Sequence, residues 1–208
     1  MDDPLSDQPA DVALEGPYAP VRGFYRHEQY LVTHRGSAGA PHPREVVHVG
    51  KVVVILALDL DRDEIVLIRE FRLGAHMATG CGDVVEVPAG RVEKDEPLIE
   101  AARRECLEET GVAAQTLIPL FSVMPSPGVS DELQFYFLAL VDAARVPAQA
   151  GAEHEREETR PLRVRIDDAL AALNGGRIRY GAAIFALQWL ALNRNRLAEI
   201  VRRGDAGR

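Results

Sequence analysis

A run of charged residues between Gly90 and Val112, GRVEKDEPLIEAARRECLEETGV, constrains this chain more than any other feature of its sequence. Glu105 and Glu109 are four residues apart, so on a helix their side chains lie one above the other, with Glu108 alongside. Like charges at this spacing repel each other unless a cation lies between them. Carboxylate oxygens are the ligands that Mg²⁺ and Mn²⁺ prefer, so the run predicts a metal-binding helix.

The residues around these glutamates fit a helix over residues 96–110. Its apolar stripe would consist of Leu98, Ala102 and Cys106, with Ile99 beside them, and would pack against a sheet. Asp95 is placed to cap the N-terminus, and Gly111 can take the left-handed conformation that ends a helix. Arg104 can pair with Glu96 or with Glu100 and hold the carboxylates in place.

The spacing within this run matches a known motif. Gly90 is followed by five residues, then Glu96, seven residues and RECLEETGV, which is the Nudix box with every position filled. On an arbitrary helix a run of charges is more often a solvated face. The ordered spacing, the preceding Pro-Ala-Gly turn and the closing glycine favour a metal site instead. The chain therefore resembles the Nudix hydrolases.

The composition excludes several classes of function. With 208 residues, of which 47% are hydrophobic, the chain can bury one ordinary core. A net charge of −8 argues against broad binding to nucleic acid or to an anionic membrane, because both need a surplus of Lys and Arg. A phosphate-bearing substrate then needs a metal ion or local arginines to offset the negative charge.

Two features favour a cytoplasmic protein. The only cysteines are Cys81 and Cys106, and such sparse usage predicts free thiols in a reducing compartment. The first twenty residues have neither the basic start nor the apolar stretch of a signal peptide, and no apolar run reaches the length that spans a membrane.

The pattern of residues predicts three parts. They are a flexible tail over residues 1–20, a small β unit over 21–45, and the domain over 46–208 that contains the box. Within the domain the sequence predicts a hairpin of residues 46–60 and 64–70 with a bend at Gly50, a loop at 73–83, a strand at 84–90, and strands near 115–123 and 133–141. After an acidic loop at 151–160 it predicts a helix at 167–174 and one long helix over 182–201.

The resemblance extends beyond the box, to the bacterial ADP-ribose pyrophosphatases among the Nudix hydrolases. Segments that carry it are VLIREFR before the box, SPGVSDE after it and the terminal ALQWL helix. Pro127 lies fifteen residues after Val112, which is the spacing typical of that branch. The resemblance implies an α/β fold, an α/β/α sandwich with a mixed central sheet, plus the small N-terminal β unit. It also implies a homodimer that exchanges its N-terminal sheet.

The resemblance also implies roles for individual residues. The metal ligands would be the carbonyl of Ala89 and the carboxylates of Glu105, Glu108 and Glu109, holding two or three Mg²⁺ or Mn²⁺ ions. Gly90, Glu96 and Gly111 would shape the box, and Arg104 would hold its carboxylates in place for catalysis. Arg72 would contact the diphosphate, Glu132 a ribose hydroxyl, and Arg44 the nucleobase end, from the same or a partner subunit. The general base would be Glu155 in the acidic loop, with Glu157 as its substitute or as a further metal ligand.

These roles predict hydrolysis of ADP-ribose to AMP and ribose 5-phosphate, with three alternatives left open. The same chemistry on another nucleoside diphosphate sugar, such as GDP-mannose or UDP-glucose, fits the box equally well. A catalytically silent nucleotide sensor would usually show damaged box glutamates, and here all four are intact. Coenzyme A hydrolysis is less favoured because the sequence lacks that branch's extra motif before the box.

Overall fold

The chain divides into two units, and the computed structural model describes residues 12–35, 39–151 and 159–206. The first unit spans Met1–Val49 together with Ser126–Glu132. The second spans Gly50–Pro125 and Leu133–Arg208. The sequence predicts a boundary after residue 45 and leaves 126–132 in the larger domain, whereas contacts in the structure assign that segment to the smaller unit.

The two units are built from ten strands and five α-helices among the described residues. The strands are β1 (Val12–Arg22), β2 (Arg26–His34), β3 (His42–His48), β4 (Lys51–Asp59), β5 (Glu64–Phe71), β6 (Asp83–Glu86), β7 (Ala89–Arg91), β8 (Thr116–Val123), β9 (Leu133–Leu140) and β10 (Arg160–Arg165). The helices are α1 (Leu73–Thr79), α2 (Leu98–Thr110), α3 (Ile166–Asn174), α4 (Gly181–Asn193) and α5 (Leu197–Ala206). Within this described part of the chain, no helix is both long and apolar enough to cross a membrane.

The first unit is an antiparallel sheet in the order β1-β2-β3. β1 begins at Val12, so the predicted tail is wrong for residues 12–20, and residues 1–11 lie outside the described ones. The segment carries Pro17 and Pro20, which suggested a tail. Proline is nevertheless compatible with an edge strand, because the outward N–H groups of such a strand need no partner.

The second unit contains a seven-stranded mixed sheet. Its main path is β10-β5-β4-β9-β8, with β6 pairing with β5 and β7 pairing with β4. β4 and β9 are parallel, and the other pairs are antiparallel. The predicted hairpin is confirmed for β4 and β5, but residues 46–48 of its predicted first strand belong to β3. The predicted bend at Gly50, which has φ +82°, separates β3 from β4.

Helices cover both faces of this sheet. Alternate residues of a strand point to opposite faces, and along β4 Val53 and Ile55 belong to the core that packs under α2. Val54 and Leu56 alternate with these two residues along the strand. They are also buried, and they point to the opposite face of the sheet. On that side α3 contacts β5 and β10, and α4 contacts β4 and β6. The predicted α/β/α sandwich with a mixed central sheet is confirmed.

Two predictions of local structure in the second unit are wrong. The sequence predicts a loop over 73–83 from its glycines, but Leu73–Thr79 is helical and ends where Gly80 adopts φ 74°. All seven residues of α1 are at least partly exposed, so no apolar periodicity marks the helix. The predicted helix over 182–201 is broken by a 3₁₀ turn at Arg194–Arg196. Beside the break the Asn193 amide donates to the Trp189 carbonyl at 2.9 Å, a side-chain bond that competes with the helical ladder.

Candidate active site

The helix α2 presents the box residues much as their spacing predicts. Ala101, Ala102 and Cys106 are fully buried against the sheet, whereas Ile99 is 37% exposed and lies outside the apolar stripe. Gly111 has φ +72°, and its N–H donates to the Leu107 carbonyl at 2.8 Å, as expected of a glycine that ends a helix.

The start of α2 differs from the prediction. Its N-cap residue is Pro97, so the predicted capping by Asp95 is wrong. Asp95 has φ 64° and belongs to the turn before the helix. In that turn the Glu93 N–H donates to Glu96 Oε2 at 2.9 Å. Glu96 therefore fixes the turn that leads into the helix.

The carboxylates of Glu105 and Glu109 converge on the backbone of Ala89 and Gly90. Glu109 Oε2 accepts a hydrogen bond from the Ala89 N–H at 2.7 Å. A Cβ built at Gly90 would lie 2.0 Å from the Glu105 Cδ, so only a glycine leaves room for that carboxylate. Both glutamates are buried, at 7% and 2% exposure. Three of the predicted metal ligands therefore lie together where β7 meets α2.

Arg104 is the cation that lies among the box carboxylates. Its guanidinium binds Glu96 through Nε at 3.0 Å and Nη2 at 3.1 Å. Its Nη1 donates to Glu105 Oε1 at 2.7 Å and to Glu108 Oε2 at 2.9 Å. The hydrogen bonds with Glu96 outweigh partial burial and raise the pKa of Arg104 above its ordinary value. Of the two partners predicted for Arg104, the structure shows Glu96. Glu100 lies 3.6 Å from the Arg103 Nε instead.

The donor set suits a hard divalent cation. Among the described residues no group of three or more His, Cys, Asp or Glu side chains is already arranged around a metal position. The Glu105 and Glu108 carboxylates are instead paired with the Arg104 guanidinium. The carboxylates of Glu105, Glu108 and Glu109 are nevertheless oxygen ligands of the kind that Mg²⁺ and Mn²⁺ take, and such an ion stabilises buried like charges. The residues therefore fit the predicted metal.

Arg72 is fixed by two carboxylates at the end of β5. Its Nε donates to Glu86 Oε1 at 2.8 Å and its Nη2 to Glu86 Oε2 at 2.9 Å, and Nη2 also lies 2.8 Å from Glu70 Oε2. Burial alone would lower the pKa of Arg72, but the Glu86 hydrogen bonds and the Glu70 charge raise it. Val66 of β5 packs under α2, and Ile68, two residues further along the strand, points to the same face. Glu86 of β6 is the residue paired with Ile68. Glu86 therefore faces the same side of the sheet as the box helix.

A cavity of about 1240 Å³ lies mainly on the other side of the sheet. Leu67 lines it, whereas its neighbour Val66 packs under α2. Arg72, Arg69 and Tyr180 also border this space. Of the described residues that line it, none is a box carboxylate, so the cavity is separate from the predicted metal ligands.

Two residues near the ends of the acidic loop are hydrogen-bonded to the end of α2. The Gly151 N–H donates to the Glu108 carbonyl at 2.8 Å, and the buried Thr159 hydroxyl donates to the Glu109 carbonyl at 3.0 Å. The predicted bases Glu155 and Glu157 fall within 152–158, outside the described residues.

The remaining predicted substrate residues belong to the first unit. Arg44 is exposed on β3, and its Nη1 donates to the Pro43 carbonyl at 3.0 Å. Glu132 is half-buried at the end of the segment 126–132. The structure therefore places both on the same unit.

Sequence reasoning missed Glu86 and Thr159. Glu86 is fully buried, and a signal for it was present, because a lone carboxylate in the apolar run VVEV is stable there only with a cationic partner. Thr159 gave no such signal, because its partner, the Glu109 carbonyl, is fifty residues away in the chain.

Comparisons with known proteins agree with this geometry. A family model described as the NUDIX domain matches residues 48–183. The ADP-ribose pyrophosphatase of Escherichia coli (strain K12) is 32% identical over 179 residues, which cover 85% of this chain and 86% of that protein. The GDP-mannose pyrophosphatase of Enterobacter sp. (strain 638) is 33% identical over 170 residues, which cover 81% of this chain and 87% of that protein.

A solved structure has the same fold. The crystal structure described as an ADP compounds hydrolase superposes with a TM-score of 0.68 at 19% identity, covering 89% of this chain and 97% of the other. At that identity the likeness concerns the fold alone. The family model and the relatives, together with the complete box at the junction of β7 and α2, show that this chain belongs to the Nudix hydrolase family.

Proposed function

We propose that this protein hydrolyses the diphosphate bond of ADP-ribose to AMP and ribose 5-phosphate, using Mg²⁺ or Mn²⁺. The observation that carries the proposal is the convergence of Glu105 and Glu109 on Ala89 and Gly90. It occurs in a chain that is 32% identical to an ADP-ribose pyrophosphatase over most of its length.

Bound metal ions would reduce the charge repulsion that makes this reaction slow. A diphosphate is inert because its negative oxygens repel a nucleophile. When bound, two or three divalent ions would neutralise that charge and activate a water molecule for attack. The Ala89 carbonyl with Glu105, Glu108 and Glu109 would hold these ions.

Other side chains orient the box and the substrate. Arg104, bound to Glu96 at 3.0 Å, limits how far the box carboxylates can turn. Arg72, held by Glu86 and Glu70, would contact a phosphate oxygen of the substrate with its guanidinium. Glu132 would accept a hydrogen bond from a ribose hydroxyl, and Arg44 would approach the nucleobase.

Glu155 is our candidate general base, with Glu157 as the alternative. A carboxylate that accepts a proton from the attacking water and directs its approach adds to what the metal supplies. The box carboxylates are committed to metal or to Arg104, so the base has to come from another segment. The hydrogen bonds of Gly151 and Thr159 to the end of α2 bring the ends of the acidic loop to the box, which supports this choice.

We also infer a cytoplasmic homodimer that pairs through the first unit. Two large apolar side chains of that unit support the dimer, because Leu14 is 62% and Phe24 is 81% exposed. Both cysteines are free thiols, which fits a reducing compartment.

GDP-mannose is the second candidate substrate. The GDP-mannose pyrophosphatases of Enterobacter sp. (strain 638) and Citrobacter koseri are 33% and 34% identical to this chain, so overall identity does not separate the two substrates. We favour ADP-ribose because Pro127 lies fifteen residues after the box, as in that branch.

Hydrolysis of ADP-ribose in Mg²⁺, with the products separated and identified, tests the proposal. We expect AMP and ribose 5-phosphate, and no turnover in excess chelator. Glu109→Gln should lower kcat by orders of magnitude, because it removes a ligand charge at the Ala89 contact. Glu100→Gln is the matched control, since it makes the same change on an exposed part of the same helix. Full activity in chelator, or equal losses in both variants, would contradict the proposed site.

A further inference from the structure

The cavity of about 1240 Å³ on the side of the sheet away from α2 has an apolar floor. Its described lining residues all belong to the second unit. Leu67 of β5 and Leu162 of β10 are paired across these strands and line it together with Val164 and Val85. Leu162, Val164 and Val85 are only half-buried, although they are apolar residues of the sheet. Residues of α1 and α3 line the same cavity, so the floor is open to a ligand between these two helices.

Arginines give this cavity a positive lining. Of the described residues that line it, four are arginines (Arg69, Arg72, Arg177 and Arg179) and two are aspartates. Four positive and two negative side chains give the lining a formal charge of +2, in a chain whose net charge is −8. A concave surface of one sign concentrates ions of the opposite sign. The lining therefore favours an anion.

Two of the four arginines are already committed to other residues. The Arg69 Nη1 donates to the Asp83 carbonyl at 3.0 Å and lies 3.8 Å from Asp83 Oδ2. Asp83 is also paired with Arg160, so its charge is neutralised. Arg72 is held by Glu86. These two arginines contribute to the positive charge of the lining, but their donors are largely occupied.

Arg177 and Arg179 have donors to offer, and they lie on a fixed backbone. Within the part of the chain that the structure describes, neither guanidinium is paired with a carboxylate. Both side chains are exposed, whereas Ile178 between them is 5% exposed and anchors the segment. The Arg177 N–H donates to the Ala172 carbonyl at 3.0 Å, which attaches the segment to the end of α3. A ligand would therefore have to order only the two side chains.

The second lining aspartate, Asp168, lies away from these arginines along α3. Asp168 is in the first turn of the helix, and Arg177 follows the turn at its other end. From Asp168 to Asn174 the helix rises about 9 Å. At physiological salt the charges of exposed groups are largely screened beyond about 8 Å. An anion at Arg177 and Arg179 is therefore little affected by Asp168.

We propose that this cavity is a second binding site, separate from the box, which takes a small phosphate monoester with an aromatic or apolar body. Arg177 and Arg179 bind the phosphate, because guanidinium groups donate paired hydrogen bonds to phosphate oxygens. A phosphate monoester carries about −1.5 to −2 charges at neutral pH, which suits two arginines. Leu162 and Val164 contact the body of the ligand. The volume is sufficient, since ordinary ligand pockets hold about 300–1,000 Å³. Binding there does not depend on the hydrolysis proposed above.

Cys81 provides a direct readout of this site, because it is exposed and lines the cavity, whereas Cys106 is buried. The probe is 1-naphthyl phosphate, an aromatic phosphate monoester, added to the full chain in excess chelator so that no metal-dependent reaction contributes. We expect saturable binding by calorimetry, with a Kd of about 1 mM or below. At saturation the probe should slow the alkylation of Cys81 by iodoacetamide, measured by mass spectrometry as the ratio of rates with and without the probe.

A double variant, Arg177→Gln with Arg179→Gln, tests the two arginines. It should raise the Kd of the probe at least about tenfold and abolish the protection of Cys81, since it removes charge-assisted hydrogen bonds. The matched control is Arg145→Gln with Arg202→Gln, which removes the same charge from two exposed arginines that do not line the cavity. The control should keep the wild-type Kd and the protection. Thermal unfolding checks that both variants fold.

Two further probes separate the charge from the apolar body in wild-type protein, and they carry the test if the double variant does not fold. Inorganic phosphate and 1-naphthol should each bind at least about tenfold more weakly than 1-naphthyl phosphate. Equal binding of either one would overturn the assigned ligand class. Binding of 1-naphthyl phosphate that is not saturable, that leaves the alkylation of Cys81 unchanged, or that persists without Arg177 and Arg179 would overturn the site itself.

Discussion

Replacement of Gly90 by alanine tests the packing of the predicted metal ligands most sharply. The new Cβ would lie 2.0 Å from the Glu105 Cδ and 2.1 and 2.2 Å from its carboxylate oxygens. Ordinary contact begins at 3.4 Å, so the carboxylate has to retreat by about 1.4 Å. The obstacle is the end of a side chain and not backbone, so we expect α2 and β7 to stay in place while the carboxylate moves.

The size of this shift sets the expected effects of Gly90→Ala. Overpacking of this kind costs about 1–3 kcal/mol of unfolding free energy, and a flexible obstacle favours the lower end. A misplacement of about 1 Å at a reacting centre can lower turnover about 100-fold, or about 2.7 kcal/mol in the barrier. Arg104, which is 2.7 Å from Glu105 Oε1, should be displaced with it.

The assay for Gly90→Ala is kcat at saturating ADP-ribose and Mg²⁺, with thermal unfolding of the same preparation. Gly74→Ala is the control, because among the described residues a Cβ at Gly74 has nothing within 4 Å. That exposed helix position should keep full activity and gain up to about 1 kcal/mol of stability. A folded Gly90→Ala variant with wild-type kcat would refute the reasoning, since the Glu105 carboxylate would then be free to move without loss of function.

Three further predictions concern other parts of the chain. Burial raises the pKa of Cys106 to about 11, so at neutral pH a thiol reagent should modify only the exposed Cys81 in the folded protein; equal rates would contradict this. Burial alone would raise the pKa of Asp59, but the hydrogen bonds from Arg62 and Ala143 outweigh burial and lower that pKa. The ionised Asp59 therefore stabilises the fold above the unfolded pKa of about 4, and this stabilisation is lost as pH falls through the folded pKa. Asp59→Asn should therefore make Tm depend less steeply on pH in the acid range than in the wild type. The same slope in both proteins would contradict this role of Asp59. Glu155→Gln should lower kcat much more than it raises KM, whereas Glu153→Gln should change little; equal kcat losses would mean that the loop acts through its total charge.

The sequence predicted those features that local spacing determines. The box places Glu105 and Glu109 on one face of α2, and the glycine at position 111 ends the helix, because both follow from helical geometry over a few residues. The hairpin of β4 and β5 was also predicted, since two apolar runs flank a polar turn.

The features that the sequence did not predict depend on distant contacts or on weak local signals. The helix α1 lacks a buried face, and Asn193 interrupts a pattern that is otherwise helical. The Arg72–Glu86 pair, the Thr159 hydrogen bond and the hydrogen bond between His48 and Asp131 join residues 14, 50 and 83 positions apart. No spacing rule predicts such pairs, because the sheet register and the loops bring them together.

The choice between substrates tests the central claim most directly. The measurement is kcat/KM for ADP-ribose and GDP-mannose in Mg²⁺, on the same preparation, with the products of each identified. We predict a higher kcat/KM for ADP-ribose, with AMP and ribose 5-phosphate as its products. A kcat/KM for GDP-mannose that is tenfold higher than that for ADP-ribose, or cleavage of neither diphosphate, would contradict the account.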